Sequence, residues 1–345
     1  MKHPRVALLG DLNIDTLLTI SRFPQPGWDG LAETASVQIG GTVVNTAVVL
    51  RRLGVDCALL GSIGRDLWGD YLCQALQPLE IDLRGVVKQP SCMTGLTFIA
   101  VTPDGERTMF SYRGANTAFA PHHLNTEVLR SADLVHLSGY ALLAPPQRET
   151  AFAALSQAEA VSLPICLDSG LQPVMDAPDV FESVLSRVSV GILGMAEVAY
   201  LSGYRHPEEA LDWLLGLGMT WAALKMGSEG CWLADHEHRI YLPAFPVNVR
   251  DTTGAGDSFT AGVICGYVHG LGLAPTAVLA NALGALATRV YGAGLALPGP
   301  EVLFPYLQEI APLTDWLPYE GAITTLKRFL VSLEDILPTS QEGWS

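Results

Sequence analysis

The sequence predicts an α/β fold: a mainly parallel central sheet flanked by helices on both faces, with a small β-sheet standing off it. Three observations carry this expectation. Short apolar runs alternate with helix-length amphipathic patterns along most of the 345 residues, the signature of strands joined by crossover helices. Two stretches break that rhythm with two-residue alternation and turn formers. The string Asp251-Thr-Thr-Gly-Ala-Gly-Asp-Ser-Phe259 sets a small-residue turn directly before a helical pattern.

Val6–Gly10 is a short apolar run ending in glycine and reads as a buried strand. Thr42–Leu53 carries Val43, Val44, Ala47, Val48, Leu50 and Leu53 before Gly54, an amphipathic helix with a glycine stop. Cys57–Ile63 is a second strand and Asp66–Leu76 a second helix. The runs Leu134–Leu137, Ile165–Asp168, Val190–Leu193 and Trp221–Met226 read as further strands. Helical patterns fall among them at Arg148–Glu159, Val180–Ser186 and Pro207–Leu217. Thr16–Ile39 and Met93–Thr117 interrupt the alternation. In the second, Thr94–Val101 and Arg107–Arg113 flank Pro103-Asp-Gly105, and Asp-Gly between alternating runs is a hairpin signal. These regions, about 14–40 and 91–118, are expected to form a β lid on a single domain over residues 1–310; surface hairpins without a gating role are the competing reading. Residues 311–345 are expected to add a helical extension. Its apolar side, Ile323, Leu326, Phe329, Leu330, Leu333 and Leu337, packs on the main body or on a partner, with a frayed end from Pro338.

Composition narrows the function classes. Hydrophobic residues make up 49% and charged residues 16%, so general disorder is excluded. A net charge of −15 repels phosphate backbones and anionic lipid, which argues against nucleic acid or a membrane surface as partner. No apolar run reaches the ~20 residues of a spanning helix. The N-terminal run is too short for a signal core, so the chain reads as cytoplasmic. The six cysteines form no C-x-x-C pair and read as small buried thiols. His236-Glu-His238 reads as a hairpin turn and His122-His123 as a helix start, neither as a metal site.

The chemistry concentrates around residue 257. A Gly-rich turn opening a helix presents unpaired N–H groups at the positive end of the helix dipole, a place to hold phosphate. Gly254, Ala255 and Gly256 let the backbone come close, and Asp257 stands where it can take a proton from an attacking hydroxyl. The alternative is a tight strand-to-helix turn with Asp257 as an ordinary helix-start residue. Two nucleotide motifs are missing: no G-x-x-x-x-G-K-S/T occurs, and Gly10-Asp-Leu-Asn-Ile-Asp15 stands where a dinucleotide fold has G-x-G-x-x-G. Gly40-Gly41-Thr-Val-Val-Asn45 also precedes a helix; its glycines admit a substrate to the backbone, and Asn45 can donate and accept toward sugar hydroxyls.

Taken together, these strings resemble the ribokinase-like (PfkB) carbohydrate kinase family. The N-terminal resemblance runs through Gly40-Gly41-Thr-Val-Val-Asn45-Thr-Ala47, Arg52-Leu53-Gly54 and Ile63-Gly64-Arg-Asp66-Leu-Trp-Gly69; the C-terminal one is Asp251–Phe259. Thr94-Gly95, Asp104-Gly105-Glu106-Arg107 and Lys225-Met-Gly227-Ser-Glu-Gly230 match between them, so that the likeness covers roughly residues 5–310 in order. The resemblance implies a ribokinase-like fold with a β lid and ATP-dependent, magnesium-assisted phosphorylation of a sugar-like hydroxyl. By position it implies Asp257 as base and the N–H groups of Gly254, Ala255 and Gly256 as anion hole. Asp15, Gly41, Thr42 and Asn45 fall on the sugar side. Lys225, Gly227, Gly230 and Asn281 fall on the nucleotide side. Asp251 falls at the monovalent-cation (K+) site of some members. Lid sheets of the family often pair between subunits, which implies a homodimer.

Departures from the family pattern matter. Gly194-Met-Ala-Glu197 stands where the family has N-x-x-E, so Glu197 either orients magnesium-bound water or is an exposed helix residue. Thr42 replaces the lysine of ribokinase. Tyr112-Arg113 resembles a pattern of relatives that take an acidic sugar, and Arg113 either forks onto a substrate carboxylate or faces outward on the hairpin. Period-two spacing puts Arg107 on the same strand face. An aromatic wall of Trp28, Phe98, Phe110 and Tyr112 would suit a nucleoside base. Three functions follow: a kinase of a small sugar or sugar acid, a nucleoside kinase, or a non-catalytic sugar or nucleotide sensor on the same fold.

Overall fold

A computed structural model describes residues 3–104 and 107–334. Its first strand, β1 (Arg5–Leu9), shows why the sheet is covered on both sides. Val6 and Leu8 enter one core while Ala7 and Leu9 enter the other, all fully buried. In chain order there follow β2 (Asn13–Ile20), β3 (Ala32–Gly40), α1 (Thr42–Arg52), β4 (Asp56–Gly64), α2 (Leu67–Leu76), β5 (Asp82–Gln89), β6 (Gly95–Val101) and β7 (Arg107–Tyr112). Next come α3 (Thr126–Arg130), β8 (Leu134–Ser138), α4 (Gln147–Ala160), β9 (Ile165–Asp168), α5 (Leu171–Asp176), α6 (Pro178–Leu185), β10 (Val190–Gly194), α7 (Met195–Ser202) and α8 (Pro207–Gly216). The chain continues through β11 (Trp221–Lys225), β12 (Cys231–Ala234), β13 (Arg239–Leu242), α9 (Ala255–His269), α10 (Leu273–Ala287), α11 (Pro300–Ile310) and α12 (Glu320–Glu334).

The main sheet has nine strands in the order β13-β12-β11-β10-β9-β8-β1-β4-β5. Every pairing from β11 to β5 is parallel; β12 and β13 add an antiparallel edge. Parallel strands sealed on both faces need continuous apolar runs, and β4 and β8 are buried almost throughout. From β1 the chain departs to β4 on one side, and the later strands β8 to β11 build outward on the other. The direction therefore reverses between β1 and β8, and the crevice beyond their C-terminal ends is where open α/β sheets bind ligands.

The lid strands form a separate four-stranded sheet, β3-β2-β6-β7, parallel only between β2 and β6. Leu17, Ile99 and Val101 make its own small buried cluster. Register sets Asp15, Thr97 and Gln38 side by side on one face. Phe98 lies opposite Phe110, and Tyr112 opposite Leu96, on the other face. The expected aromatic wall is thus overturned: Phe98, Phe110 and Tyr112 point away from Asp15, and Trp28 is 70% exposed in the loop between β2 and β3. The Asp-Gly turn at 104–106 includes positions outside the described residues. Strand β5, with its polar alternation, was not anticipated; it pairs along β4 as the sheet edge.

The C-terminal extension packs on the main body. Ile323, Leu326, Leu330 and Leu333 of α12 are buried in the same core as Leu279, Leu283 and Leu286 of α10. Trp316 stacks on Phe245 at 4.1 Å between centroids. Leu337 and Pro338–Ser345 lie outside the described residues. All six cysteines are unbridged, and no helix among the described residues is long and apolar enough to cross a membrane.

Candidate active site

Asp257 sits in the first turn of α9, where the backbone is forced into shape by its predecessor. Gly254 adopts the left-handed conformation (φ 74°), and a Cβ there would lie 2.7 Å from Leu297 Cδ2. The N–H groups of Gly254, Gly256 and Asp257 meet no acceptor among the described residues. That of Ala255 is turned back to the Thr252 carbonyl at 3.3 Å. Of the three amides expected to form an anion hole, those of Gly254 and Gly256 are therefore free, as is the amide of Asp257 beside them. The far side of Gly256 is open, and a Cβ built there meets only Lys225 Nζ, at 3.8 Å. An ammonium thus lies beside the N-terminal turn of α9, and the two together favour an anion.

Burial raises the Asp257 carboxyl to about 7; the hydrogen bond from Asn45 opposes the rise and the charge of Asp168 adds to it. Asn45 Nδ2 donates to Asp257 Oδ2 at 2.7 Å, and Asn45 Oδ1 accepts the Gly294 N–H at 2.9 Å. Asn45 was expected to contact sugar hydroxyls. In the structure both ends of its amide are engaged, one of them on Asp257, a contact visible only once α1 packs on α9. Asp15 on β2 is buried and raised to about 6 by that burial, with a hydrogen bond from Thr97 opposing. It contributes to the field at Asp257, so the lid brings a second acid to the first. Thr42 Oγ1 donates to Ser138 Oγ at the end of β8. Gly41 (φ 92°) makes room for the chain's own loop: a Cβ would lie 2.3 Å from the Asp11 carbonyl oxygen.

On the other side of Asp257, carboxylates and a lysine cluster at the C-terminal ends of β9, β10 and β11. Lys225 Nζ donates to Asp168 Oδ1 at 2.7 Å and Thr260 Oγ1 to Asp168 Oδ2 at 2.5 Å. Burial would lower the Lys225 ammonium, but Asp168, Glu197 and Asp257 outweigh it and hold the group charged. Asp168 was missed by sequence reasoning; a carboxylate ending a strand of a parallel sheet was the available signal. Glu197 is buried, which overturns the exposed-helix reading. Its Oε2 accepts from Ser169 Oγ and from the Gly194 N–H, capping α7, while Oε1 has no donor among the described residues. Gly227 (φ 57°) and Gly230 (φ 95°) shape the turn between β11 and β12, with open space over Gly227. Asn281 on α10 is buried and donates to the Pro243 carbonyl at 2.7 Å.

Asp251 is buried and fully engaged: Oδ1 accepts from Thr253 N–H and Thr253 Oγ1, and Oδ2 from the Gly292 N–H. Arg107 Nη1, from the lid, donates to Thr252 Oγ1 and stands 3.9 Å from Asp251 Oδ1. Arg107 thus stands close to the residue for which the resemblance implies a monovalent-cation site. A second lid contact runs from Gln38, whose Oε1 accepts the Ala293 N–H. Arg113 is not on the Arg107 strand face, because β7 ends at Tyr112 and the backbone turns helical at Arg113. Its guanidinium is neither outward-facing nor free, since it forks onto Asp11 at 2.7 and 2.8 Å.

The arrangement can do phosphoryl transfer: a base near neutrality, amide donors and an ammonium opposite, within reach of a lid. Among the described residues no group of three or more His, Cys, Asp or Glu is placed to hold a metal ion. Of the two nearby carboxylates, Glu197 keeps Oε1 without a donor among the described residues, while both Asp168 oxygens accept hydrogen bonds.

The comparisons with known proteins agree in extent. The pfkB family carbohydrate kinase model matches residues 3–300. The aminoimidazole riboside kinase of Salmonella typhimurium is 29% identical over 78% of this chain and 87% of its own. The ribokinase of Staphylococcus aureus is 26% identical over 85% and 96%. Among solved structures, an E. coli protein designated ribokinase II, in complex with ATP and Mg2+, superposes with a TM-score of 0.80 at 23% identity. The match covers 89% of this chain and 99% of that one.

Proposed function

From the premise that the chain belongs to the pfkB family of carbohydrate kinases, we propose that it transfers the γ-phosphoryl group of ATP to a hydroxyl of a small sugar or sugar-like acceptor, with Asp257 as general base. The observation that carries this is the Asp257 carboxyl, near 7, held by Asn45 at the open N-terminal turn of α9. Asp257 takes the proton of the acceptor hydroxyl as the oxygen–phosphorus bond forms. The bond from the γ-phosphorus to its bridging oxygen breaks, and its electron pair leaves with ADP. The N–H groups of Gly254, Gly256 and Asp257, with the Lys225 ammonium, stabilise the charge on the transferring group. Magnesium supplies charge neutralisation on the phosphates when bound, with Glu197 and Asp168 as the carboxylates toward its water shell.

Asp15 and the Gly41–Asn45 segment border the acceptor, and the Gly227–Gly230 turn with Asn281 borders the nucleotide. The hydrogen bonds that Gln38 accepts from Ala293 and Arg107 donates to Thr252 support a closing role for the four-stranded sheet, which would keep water from competing as acceptor. The exposed aromatic face of the lid is where a second copy of the chain would pair, and sedimentation velocity tests it. The reading is tested by ADP release from magnesium-ATP with a panel of sugars and nucleosides. Tight acceptor binding without ADP from any of them would replace the kinase by a sensor. Nucleosides belong in the panel because of the likeness to a riboside kinase.

A further inference from the structure

The crevice between β1 and β8 is closed by a clamp that the reaction above does not use. Asp11, in the loop leaving β1, is 4% exposed. Its two carboxylate oxygens receive Arg113 Nε at 2.7 Å and Nη2 at 2.8 Å, a two-toothed ion pair. The same Nη2 donates to the Tyr140 carbonyl at 2.8 Å and to Gln147 Oε1, and Gln147 Nε2 donates back to Asp11 Oδ1 at 2.8 Å. Gln147 is fully buried. The guanidinium is therefore fixed in orientation and its charge is matched within the crevice.

The other cations of the cleft are matched too. Arg107 faces Asp251 and Lys225 faces Asp168. Asp15 and Asp257, by contrast, have no ion-pair partner among the described residues. Asp11 and Asp168 match the two cations Arg113 and Lys225, so the charge that Asp15 and Asp257 gain as they ionise is left unmatched. What the cleft offers an acceptor besides is neutral. The Tyr140 phenol has no hydrogen-bond partner among the described residues. Burial keeps it protonated, with Asp257, Asp11 and Asp168 adding to the effect, so it is a donor. Arg113 Nη1 carries no hydrogen bond among the described residues and can donate, but its charge is already cancelled by Asp11.

We infer that the acceptor is uncharged, a free sugar or nucleoside rather than a sugar acid or a sugar phosphate, and that Asp11 sets this selectivity by holding the guanidinium of Arg113. The inference rests on the kinase reading and narrows it. An acceptor carboxylate or phosphate would stand beside Asp15 and Asp257 with no unmatched cation to receive it, and like charges at that range disfavour binding strongly.

The test is ADP release with matched acceptors: ribose against ribonate and ribose 5-phosphate, glucose against gluconate, and a nucleoside against its monophosphate. The wild-type protein is expected to favour the uncharged member of whichever set it uses by about 10²-fold or more in kcat/KM, the scale of a misplaced like charge. Asp11→Asn releases Arg113 and is expected to narrow that ratio by about tenfold or more, while a merely structural lesion would lower both members together. Equal or better use of a charged acceptor by the wild type would overturn the inference and leave the kinase standing. So would an unchanged ratio in a folded Asp11→Asn variant. If that variant does not fold, the wild-type ratio alone decides. Failure of every acceptor to yield ADP would remove the kinase reading and this one with it.

Discussion

Replacing Asp257 by asparagine is expected to stabilise the fold in a pH-dependent way. The carboxyl is raised from 3.8 to about 7, with burial as the main cause. Three pKa units at about 1.36 kcal/mol each set a ceiling of about 4 kcal/mol on the cost of keeping this group ionised in the folded state. Because the folded pKa lies above the unfolded one, the protein has its full stability below about 3.8 and loses it as pH rises toward 7. The amide has no such titration. It gives up at most the hydrogen bond with Asn45, worth about 1 kcal/mol. Relief of Asp15, which shares the field, acts in the same direction. Between pH 5 and pH 7.5 the advantage of Asp257→Asn over wild type should therefore grow by about 2–3 kcal/mol. In a chain of this size that is roughly 3–4 °C in Tm. Thermal or urea unfolding of both proteins at the two pH values measures it. A difference that stays constant with pH, or shrinks as pH rises, would refute the reasoning, because it would mean that the carboxyl is not held near neutrality by its surroundings.

Three further outcomes follow from the same geometry. Since the base must be ionised to accept a proton, kcat/KM should rise about tenfold per pH unit below about 7 and level off above it; a profile flat from pH 5.5 to 8 would contradict the assignment. Lys225→Ala removes the ammonium facing Gly256 and leaves Asp168 unpaired, so kcat should fall by about 10²-fold or more, with Lys225→Arg retaining part of the activity in a coupled ADP assay. Leu330→Ala, at a 2% exposed position where α12 meets the core, should cost about 2–5 kcal/mol by urea denaturation with KM values unchanged; a loss under about 0.5 kcal/mol would mean that the extension is not part of the cooperative fold.

How much of this was legible in the sequence depended on distance along the chain. The start of α9 could be read because its signal is local: glycines, a carboxylate and a small-residue helix stand in nine consecutive positions. The strand–helix alternation was legible for the same reason, and so was the amphipathic face of α12. Roles that depend on strand order were not. Asp168 gains meaning only when β9 lies two strands from β11, so that Lys225 can reach it. Asn45 and Asp257 are 212 residues apart, and no periodicity within α1 announces that its amide is aimed at α9. Arg113 was misplaced by extending two-residue alternation one step too far. Gly114, with φ 49° and a Cβ position 2.3 Å from the Met93 carbonyl oxygen, turns the chain out of the strand there, and the guanidinium swings to Asp11. The lid aromatics were misassigned because the choice of face rests on pairing with β2, which propensity does not reveal. Glu197 could not be decided locally, since its side-chain donor Ser169 stands on the neighbouring loop.

The most direct measurement is turnover of Asp257→Asn at pH 8 with magnesium-ATP and the best acceptor, alongside the affinities of both ligands measured with a non-hydrolysable ATP analogue. Loss of proton abstraction predicts turnover lower by about 10²-fold or more with both affinities preserved within about threefold. Turnover within a few-fold of wild type would show that the proton leaves by another route and that the carboxyl at the head of α9 is not the base.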